Sequence, residues 1–511
     1  MKNPLRLLFT RTMIYGSAII IKLLILFAVI MSLQTKHVWF YQVSILISAA
    51  VVLYIINDNS NPAYKIAWIV PIMMFPLYGG IFYVLFGKYR PKRKYKKKLG
   101  ELRGMMDRVI GKNADVLEEI EEDCVAGGNQ SRYITNYAKF PPFKNTKTEY
   151  YPIGEDMYES LKQQLEKAEK YIFMEFFIVE EGVMWDGIFE ILKRKVREGV
   201  DVRFMWDDFG SILRLPKDFK KKVESFGIKC EIFNPLRPMF TLRLNNRNHR
   251  KIVVIDGHTG FVGGINIADE YINKVQKLGH WKDTAVMLKG EAVWSLTVMF
   301  LSMWNMQSKT EEDYKKYRPE TQKDRKAEND GYVQPYTDNP LDSESVGENV
   351  YLNLINKAEK YVYITTPYLI IDNEMVTALK NAAKSGIDVR IITPFIPDKW
   401  YVHAVTRAYY NILMDSGVKI YEYTPGFIHA KSFVVDDKYA VVGTINLDYR
   451  SLYLHFECAV WMYKCSCIKD IKEDFIRTMG ASTAVSFDEI RKIKWWQKLG
   501  RAFLRAFAPH M

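Results

Sequence analysis

A chain of 511 residues has room for two or three ordinary domains. With 48% hydrophobic residues and a mean hydropathy of −0.15, it is too polar for a polytopic transporter, so any membrane part is confined to one region. The net charge of +13 points to a polyanionic partner, either nucleic acid or an anionic membrane surface. The five scattered cysteines speak against a disulfide framework or a four-ligand zinc site.

The apolar character sits in residues 1–98, read as a membrane anchor. Residues 13–33 are apolar apart from Lys22, and residues 38–56 form a second run; each is long enough to cross a bilayer. Joined by a short polar linker, they read as a transmembrane helical hairpin, too apolar for too long to be a cleavable signal peptide. A third stretch, residues 66–87, carries Pro71, Pro76, Gly79 and Gly80, which interrupt a straight helix and favour an interfacial position. Lys2, Arg6 and Arg11 precede the first run, and eight basic residues lie between Lys88 and Lys98. Basic flanks stay in the cytoplasm. Both flanks inside require an even number of crossings, hence two spans, a non-spanning third segment and the remaining chain on the cytoplasmic side of the cell membrane. The basic neck is expected to meet anionic headgroups.

Residues 99–140, with the acidic run LEEIEED, read as a linker with a solvated face. Beyond them the chain is duplicated. LKQQLEKAEKY before IFMEFFIV is matched by LNLINKAEKY before VYITTPYLII, a helix followed by a buried strand in both copies. Gly199-Val-Asp-Val-Arg203 and Gly386-Ile-Asp-Val-Arg390 then mark a helix stop and a strand start. The alternation predicts an α/β fold with two pseudo-symmetric lobes, 141–306 and 350–480, each a β-sheet flanked by helices. Residues 307–349 read as an exposed linker or insertion. Residues 481–511 read as a basic amphipathic helix, whose tryptophans suit either lipid or a protein neighbour.

Each lobe carries one copy of His-x-Lys-x-x-x-x-Asp: His249, Lys251 and Asp256, then His429, Lys431 and Asp436. Each is followed by a matched turn, Gly263-Gly264-Ile265-Asn266 and Gly443-Thr444-Ile445-Asn446. Residues two apart on a strand share a face, so each His and its Lys point together. An Asp seven positions on faces away, which suits a turn-holding role. Asn266 and Asn446 are candidates to donate to phosphate oxygens. Two imidazoles and two ammonium groups in matched settings suggest one site built from two halves, with phosphodiester chemistry. The other six histidines repeat nowhere at fixed spacing and read as structural, although His280 and His455 lie near carboxylates.

These residues resemble the phospholipase D superfamily and, within it, the bacterial cardiolipin synthases, on HRKIVVIDG with GGIN and HWKD, HAKSFVVDD with GTINLDYRS and HFE, and the apolar leader. The resemblance implies a catalytic set of His249, Lys251, Asp256, His429, Lys431 and Asp436, substrate contacts from Asn266 and Asn446, and Asp283 and Glu457 as the carboxylates that orient the histidines. It implies a phosphatidyltransferase that makes cardiolipin and glycerol from two phosphatidylglycerol molecules through a phosphatidyl-histidine. No metal or cofactor is implied. His249 is favoured as nucleophile and His429 as acid and base, though the symmetry leaves the choice open. A hydrolytic phospholipase D, another phosphatidyltransferase and, further off, a nuclease remain alternatives. The expected partners are anionic phospholipid and membrane, not nucleic acid, with homo-oligomerisation open.

Overall fold

The β-branched runs beside the two histidine motifs become central strands of two sheets. The computed structural model describes residues 38–87, 93–236, 246–308, 312–319, 330–342, 344–488 and 495–510, with scattered positions between 17 and 32. The first sheet runs in the order Thr146–Tyr151, Ala285–Gly290, Thr259–Gly263, Ile252–Ile255, Tyr171–Phe176, Asp201–Asp207, Lys229–Phe233. The second runs Tyr332–Asp338, His455–Tyr463, Tyr439–Gly443, Ser432–Val435, Tyr361–Thr365, Asp388–Pro394, Lys419–Tyr423, with Ser482–Ala484 added at the edge. The first seven places correspond one to one, so the repeat in sequence is a repeat in topology. In both lobes the helix-linked strands pair in parallel and the motif hairpin pairs antiparallel.

Strand alternation divides the first sheet between two cores. Ile172, Met174 and Phe204 pack toward Trp185, Ile188 and Leu192 of helix Val183–Arg197. Phe173, Ile252 and Val254 face the other way and join a core continuous with the second lobe. Helix Val293–Gln307 lies in that shared core, apolar and buried almost all round, with Phe300 stacked on Phe173 at 4.7 Å between ring centroids. The two lobes are therefore one packed body, which fixes the histidines relative to each other.

Two segments expected to be linkers belong to the folded core. Residues 332–338 form the edge strand paired with His455–Tyr463, and helix Val346–Asn356 follows, so the second lobe begins well before residue 350. Its alternation is masked in the sequence by charged surroundings and by Pro335, which an edge strand tolerates. Residues 99–140 supply helices Ala114–Asp123 and Val125–Tyr137. Ile120, Ile134 and Phe140 are fully buried, Asp123 pairs with Lys464 at 2.7 Å, and Gln334 donates to the carbonyls of Ser131 and Phe140. The acidic run thus has one buried face against the second lobe.

At the N-terminal end, Val38–Asn57 is a 20-residue apolar helix, about 30 Å long at 1.5 Å per residue. It is the one described helix long and apolar enough to cross a membrane. Residues 66–87 are split into helices Pro62–Met74 and Pro76–Phe86, which break at Phe75 as the prolines require. Most of residues 13–33, Lys2, Arg6, Arg11 and residues 88–92 lie outside the described residues. Helix Trp495–Ala506 packs one side against helix Trp400–Met414.

Candidate active site

Each histidine motif begins on a short strand donated to the opposite lobe. Arg247–Asn248 pairs in parallel with His455 and Phe456, and the amide of His249 donates to the carbonyl of Phe456 at 2.9 Å. Gly426–Ile428 pairs in parallel with His280–Lys282, and the amide of His429 donates to the carbonyl of Lys282 at 2.7 Å. These exchanges decide the carboxylate pairing. His249 Nδ1 lies 2.9 and 3.0 Å from the two oxygens of Glu457, which comes from the other lobe. His429 Nδ1 lies 2.6 Å from Asp283, likewise from the other lobe. Sequence order groups each carboxylate with the histidine before it, whereas the fold crosses them.

Both rings line one cavity of about 830 Å³, together with Asn266, Asn446, Tyr271, Trp281, His455 and Arg450. With Nδ1 turned to a carboxylate, the tautomer that donates from Nδ1 leaves the Nε2 lone pair free. Burial and the neighbouring Lys251 push the His249 ring down to about 3, against the pull of Glu457. Burial and Lys431 likewise push His429 well below its ordinary value. Burial thus disfavours the charged form of both rings, and an uncharged imidazole is a nucleophile.

The lysines sit beneath the rings. Lys251 Nζ donates to the carbonyl of His249 at 2.5 Å, and Lys431 Nζ to that of His429. Burial lowers Lys251 to about 7 and Lys431 to about 8. Asn266 and Asn446 are held differently. Asn266 accepts from the amide of Ile178 at 2.9 Å and donates to the Tyr271 hydroxyl at 2.8 Å, whereas the buried Asn446 Oδ1 has no partner among the described residues.

Asp256 and Asp436 do not join the cavity and are to be removed from the catalytic set. Asp256, at φ 53°, accepts from the amides of Glu169, Lys170 and Tyr171 at 2.7–2.8 Å. Asp436, at φ 56°, accepts from those of Glu359, Lys360 and Tyr361 at 2.6–2.8 Å. Both clamp the turn after the motif strand to the start of its neighbour, as the odd spacing indicates.

Three comparisons bear on this geometry. The family described as "cardiolipin synthase, PLD-like domain" matches residues 161–304 and again 351–479, and a "phospholipase D-nuclease N-terminal" family matches residues 45–88. The chain belongs to the cardiolipin synthase family. A protein of Streptococcus mutans described as uncharacterized is 46% identical over 90% of this chain and 99% of its own length. A cardiolipin synthase of Halalkalibacterium halodurans is 34% identical over 91% of this chain and 93% of its own. Among solved structures, a phosphatidylserine synthase of Haemophilus influenzae superposes with a TM-score of 0.56 at 15% identity, covering 74% of this chain and 97% of that one, which shows the shared fold.

Within this family member two residues of the site escape the repeat pattern. His455 lines the cavity with its ring centroid 5.6 Å from that of His249 and Nδ1 3.7 Å from Glu457. It sits two residues before Glu457 on one strand, so parity alone places it on the same face. Thr444 stands where the first lobe has Gly264, and its hydroxyl donates to Glu457. At Gly264 a Cβ would fall on the Asp283 carboxylate, so the first lobe admits no such donor. His249, His455 and Glu457 bring three ligand atoms within 4.8 Å, and a cation there would compete with the His249–Glu457 hydrogen bond.

Proposed function

We propose that this protein transfers a phosphatidyl group between two phosphatidylglycerol molecules, giving cardiolipin and glycerol through a phosphatidyl-histidine. The observation that carries this reading is the pair of imidazoles lining one cavity, each held at Nδ1 by a carboxylate of the opposite lobe. His249 Nε2 attacks phosphorus, the bond to the glycerol oxygen breaks, and that oxygen takes a proton from His429. The primary hydroxyl of a second phosphatidylglycerol then gives its proton to His429, and its oxygen displaces Nε2. The bound phosphodiester supplies the negative charge that lets His429 hold a proton in the complex. Lys251, Lys431 and Asn446 stabilise the non-bridging oxygens.

Support for His249 as nucleophile comes from its partner. Burial opposes ionisation of Glu457, but His249 and His455 hold it well below its ordinary value, and the hydroxyls of Ser451, at 2.8 Å, and Thr444 donate to it. A carboxylate kept ionised suits a ring that carries positive charge while bound to phosphorus. Among the described residues Asp283 accepts the Thr284 amide at 2.8 Å besides His429, and burial raises it to about 6. That softer partner suits a ring that gains and loses a proton each half-cycle.

The membrane anchor concentrates lipid acceptor beside the intermediate, which favours transfer over hydrolysis. We assign the anchor two crossings with both basic flanks and the lobes in the cytoplasm. The test is product analysis by mass spectrometry of the full chain in phosphatidylglycerol vesicles containing a metal chelator. Cardiolipin and glycerol in equal amounts are expected. Phosphatidic acid without cardiolipin turns the reading to a hydrolase, and activity lost on chelation removes the metal-free mechanism.

A further inference from the structure

A second cavity, of about 650 Å³, lies between the second lobe and the membrane-side helices. Its walls come from Asn61 to Ile66 at the start of helix Pro62–Met74, Tyr409 on helix Trp400–Met414, and Arg501 and Arg505 on the C-terminal helix Trp495–Ala506. At 3.6 residues per turn, Trp495, Trp496, Leu499 and Phe503 fall on one face of that last helix. All four are 54–77% exposed. On the neighbouring wall Ile66, Val70 and Met73 are exposed as well. Apolar surface on two adjacent helices, close to a helix able to span a bilayer, fits an interfacial position with these residues in the acyl region.

Arg501 and Arg505 lie six and ten residues after Trp495, which turns them away from the apolar face and toward the cavity they line. The Arg505 guanidinium lies 4.6 Å from the centroid of the Tyr409 ring. Arg501 is half-buried, and its guanidinium is destabilised by that burial and by nearby Arg407. Arg407 is already neutralised by Glu422 at 2.8 Å. Among the described residues neither Arg501 nor Arg505 forms an ion pair. The acids on the cavity wall do not supply one: Asp372 accepts from Tyr453 at 2.8 Å, Asn61 at 2.9 Å and the Met375 amide at 2.9 Å, and Glu374 shares that network. Half-buried arginine without a counter-ion is unfavourable unless an anion arrives.

We propose that this cavity is a second lipid site, which holds the phosphate of an anionic phospholipid on Arg501 and Arg505 and lays its chains along Ile66 toward the exposed Val70 and Met73 of the same helix. The proposal needs only an anionic bilayer and is independent of any chemistry at His249. It is tested by native mass spectrometry of the full chain in detergent, titrated with phosphatidylglycerol or phosphatidylcholine. The unsubstituted protein is expected to retain one more phosphatidylglycerol than Arg501→Gln/Arg505→Gln, whose apparent affinity at that step falls at least about tenfold. Phosphatidylcholine should bind both proteins alike. Arg501→Lys/Arg505→Lys, which keeps charge but loses the fork, should fall between them and decides the matter if the glutamine variant does not fold. Equal phosphatidylglycerol retention by the unsubstituted protein and whichever variant folds overturns the proposal. So does equal retention of the two lipids, or complete displacement by equimolar inorganic phosphate, which would mark a free-ion site.

Discussion

The two halves of the catalytic cavity share a backbone plan and differ in chemistry. On one side His249 meets Glu457, with His455 beside it and the Thr444 and Ser451 hydroxyls behind the carboxylate. On the other His429 meets Asp283, with Trp281 and Phe427 at 5.7 and 6.0 Å between centroids and Gly264 where Thr444 has its counterpart. His455 and Trp281 occupy matched places, each two residues before its carboxylate and each paired with the strand that leads into the opposite motif. Phe177 lies 5.0 Å from His249, so both rings have aromatic neighbours, but among the described residues only the first half surrounds its carboxylate with hydroxyl donors. Duplication supplied two imidazoles, and divergence around them gave each a partner of different acidity. A symmetric site would hold two equivalent bases, whereas the different partners here suit the proposed division between a charge-bearing ring and a proton-exchanging one.

The comparison breaks first at the rings. His249→Ala and His429→Ala should each lower transfer by about 10⁴-fold or more. Only His429→Ala retains the atom that bonds to phosphorus, so a phosphatidyl adduct on intact protein is expected there and not in His249→Ala. An adduct in His249→Ala would reverse the assignment. Next come the carboxylates: Glu457→Gln should cost about 10²–10³-fold in kcat, because the ring loses both its tautomer and its counter-charge. Asp283→Asn should cost less, and should leave a different mark on pH dependence.

That mark follows from the raised and lowered groups. Asp283, raised to about 6, is ionised above that pH and stops accepting from His429 below it, which gives an acid limb in kcat/KM. Lys251 and Lys431, lowered to about 7 and 8, lose their charge as pH rises through those values, which gives an alkaline limb through weaker phosphate binding. Bound anion restores the ammonium charge, so the alkaline limb in kcat should lie higher than in kcat/KM. Asp283→Asn should remove the acid limb and keep the alkaline one. Initial rates in mixed micelles between pH 5 and pH 9 measure both, and an unchanged acid limb would detach it from Asp283. By contrast Asp436→Ala should leave the profile intact and cost about 2 kcal/mol of stability, read as a lower Tm, because three backbone amides, that of Tyr361 buried, lose their acceptor.

The sequence shows the lobes, the two motif hairpins and the odd spacing of Asp256 and Asp436, because strand parity and repetition are local signals. The crossed pairing of His249 with Glu457 and His429 with Asp283 is not legible there. It depends on strands of only two and three residues exchanged between lobes, too short to carry a periodic pattern. The edge strand Tyr332–Asp338 is hidden for a related reason, since it is defined by its partner rather than by its own apolar residues. Residues 99–140 mislead because their charge is plain to read, whereas Ile120 and Ile134, which anchor them, are single residues among polar ones. His455 and Thr444 are missed because a search for what the two halves share passes over what distinguishes them.

Thr444 offers the smallest and sharpest test of that distinction. Its hydroxyl donates to Glu457 and accepts from the amide of Cys458 at 3.0 Å, while its backbone amide donates to the carbonyl of Cys458 at 2.9 Å, so the side chain is fixed before substrate arrives. Thr444→Val keeps the volume and the β-branched shape but removes one donor from a buried carboxylate. Glu457 then depends more heavily on His249 for its ionisation, and the proton shared between them shifts toward the carboxylate. The expected cost is about 1–2 kcal/mol in transition-state stabilisation, roughly tenfold in kcat. If charge on Glu457 is what marks His249 as nucleophile, Thr444→Val should lower the adduct yield in the His429→Ala background. Gly264→Ala, its counterpart across the site, should instead displace Asp283 and act only on the protonation of His429. Equal effects of the two substitutions on adduct yield would show that the halves are interchangeable after all.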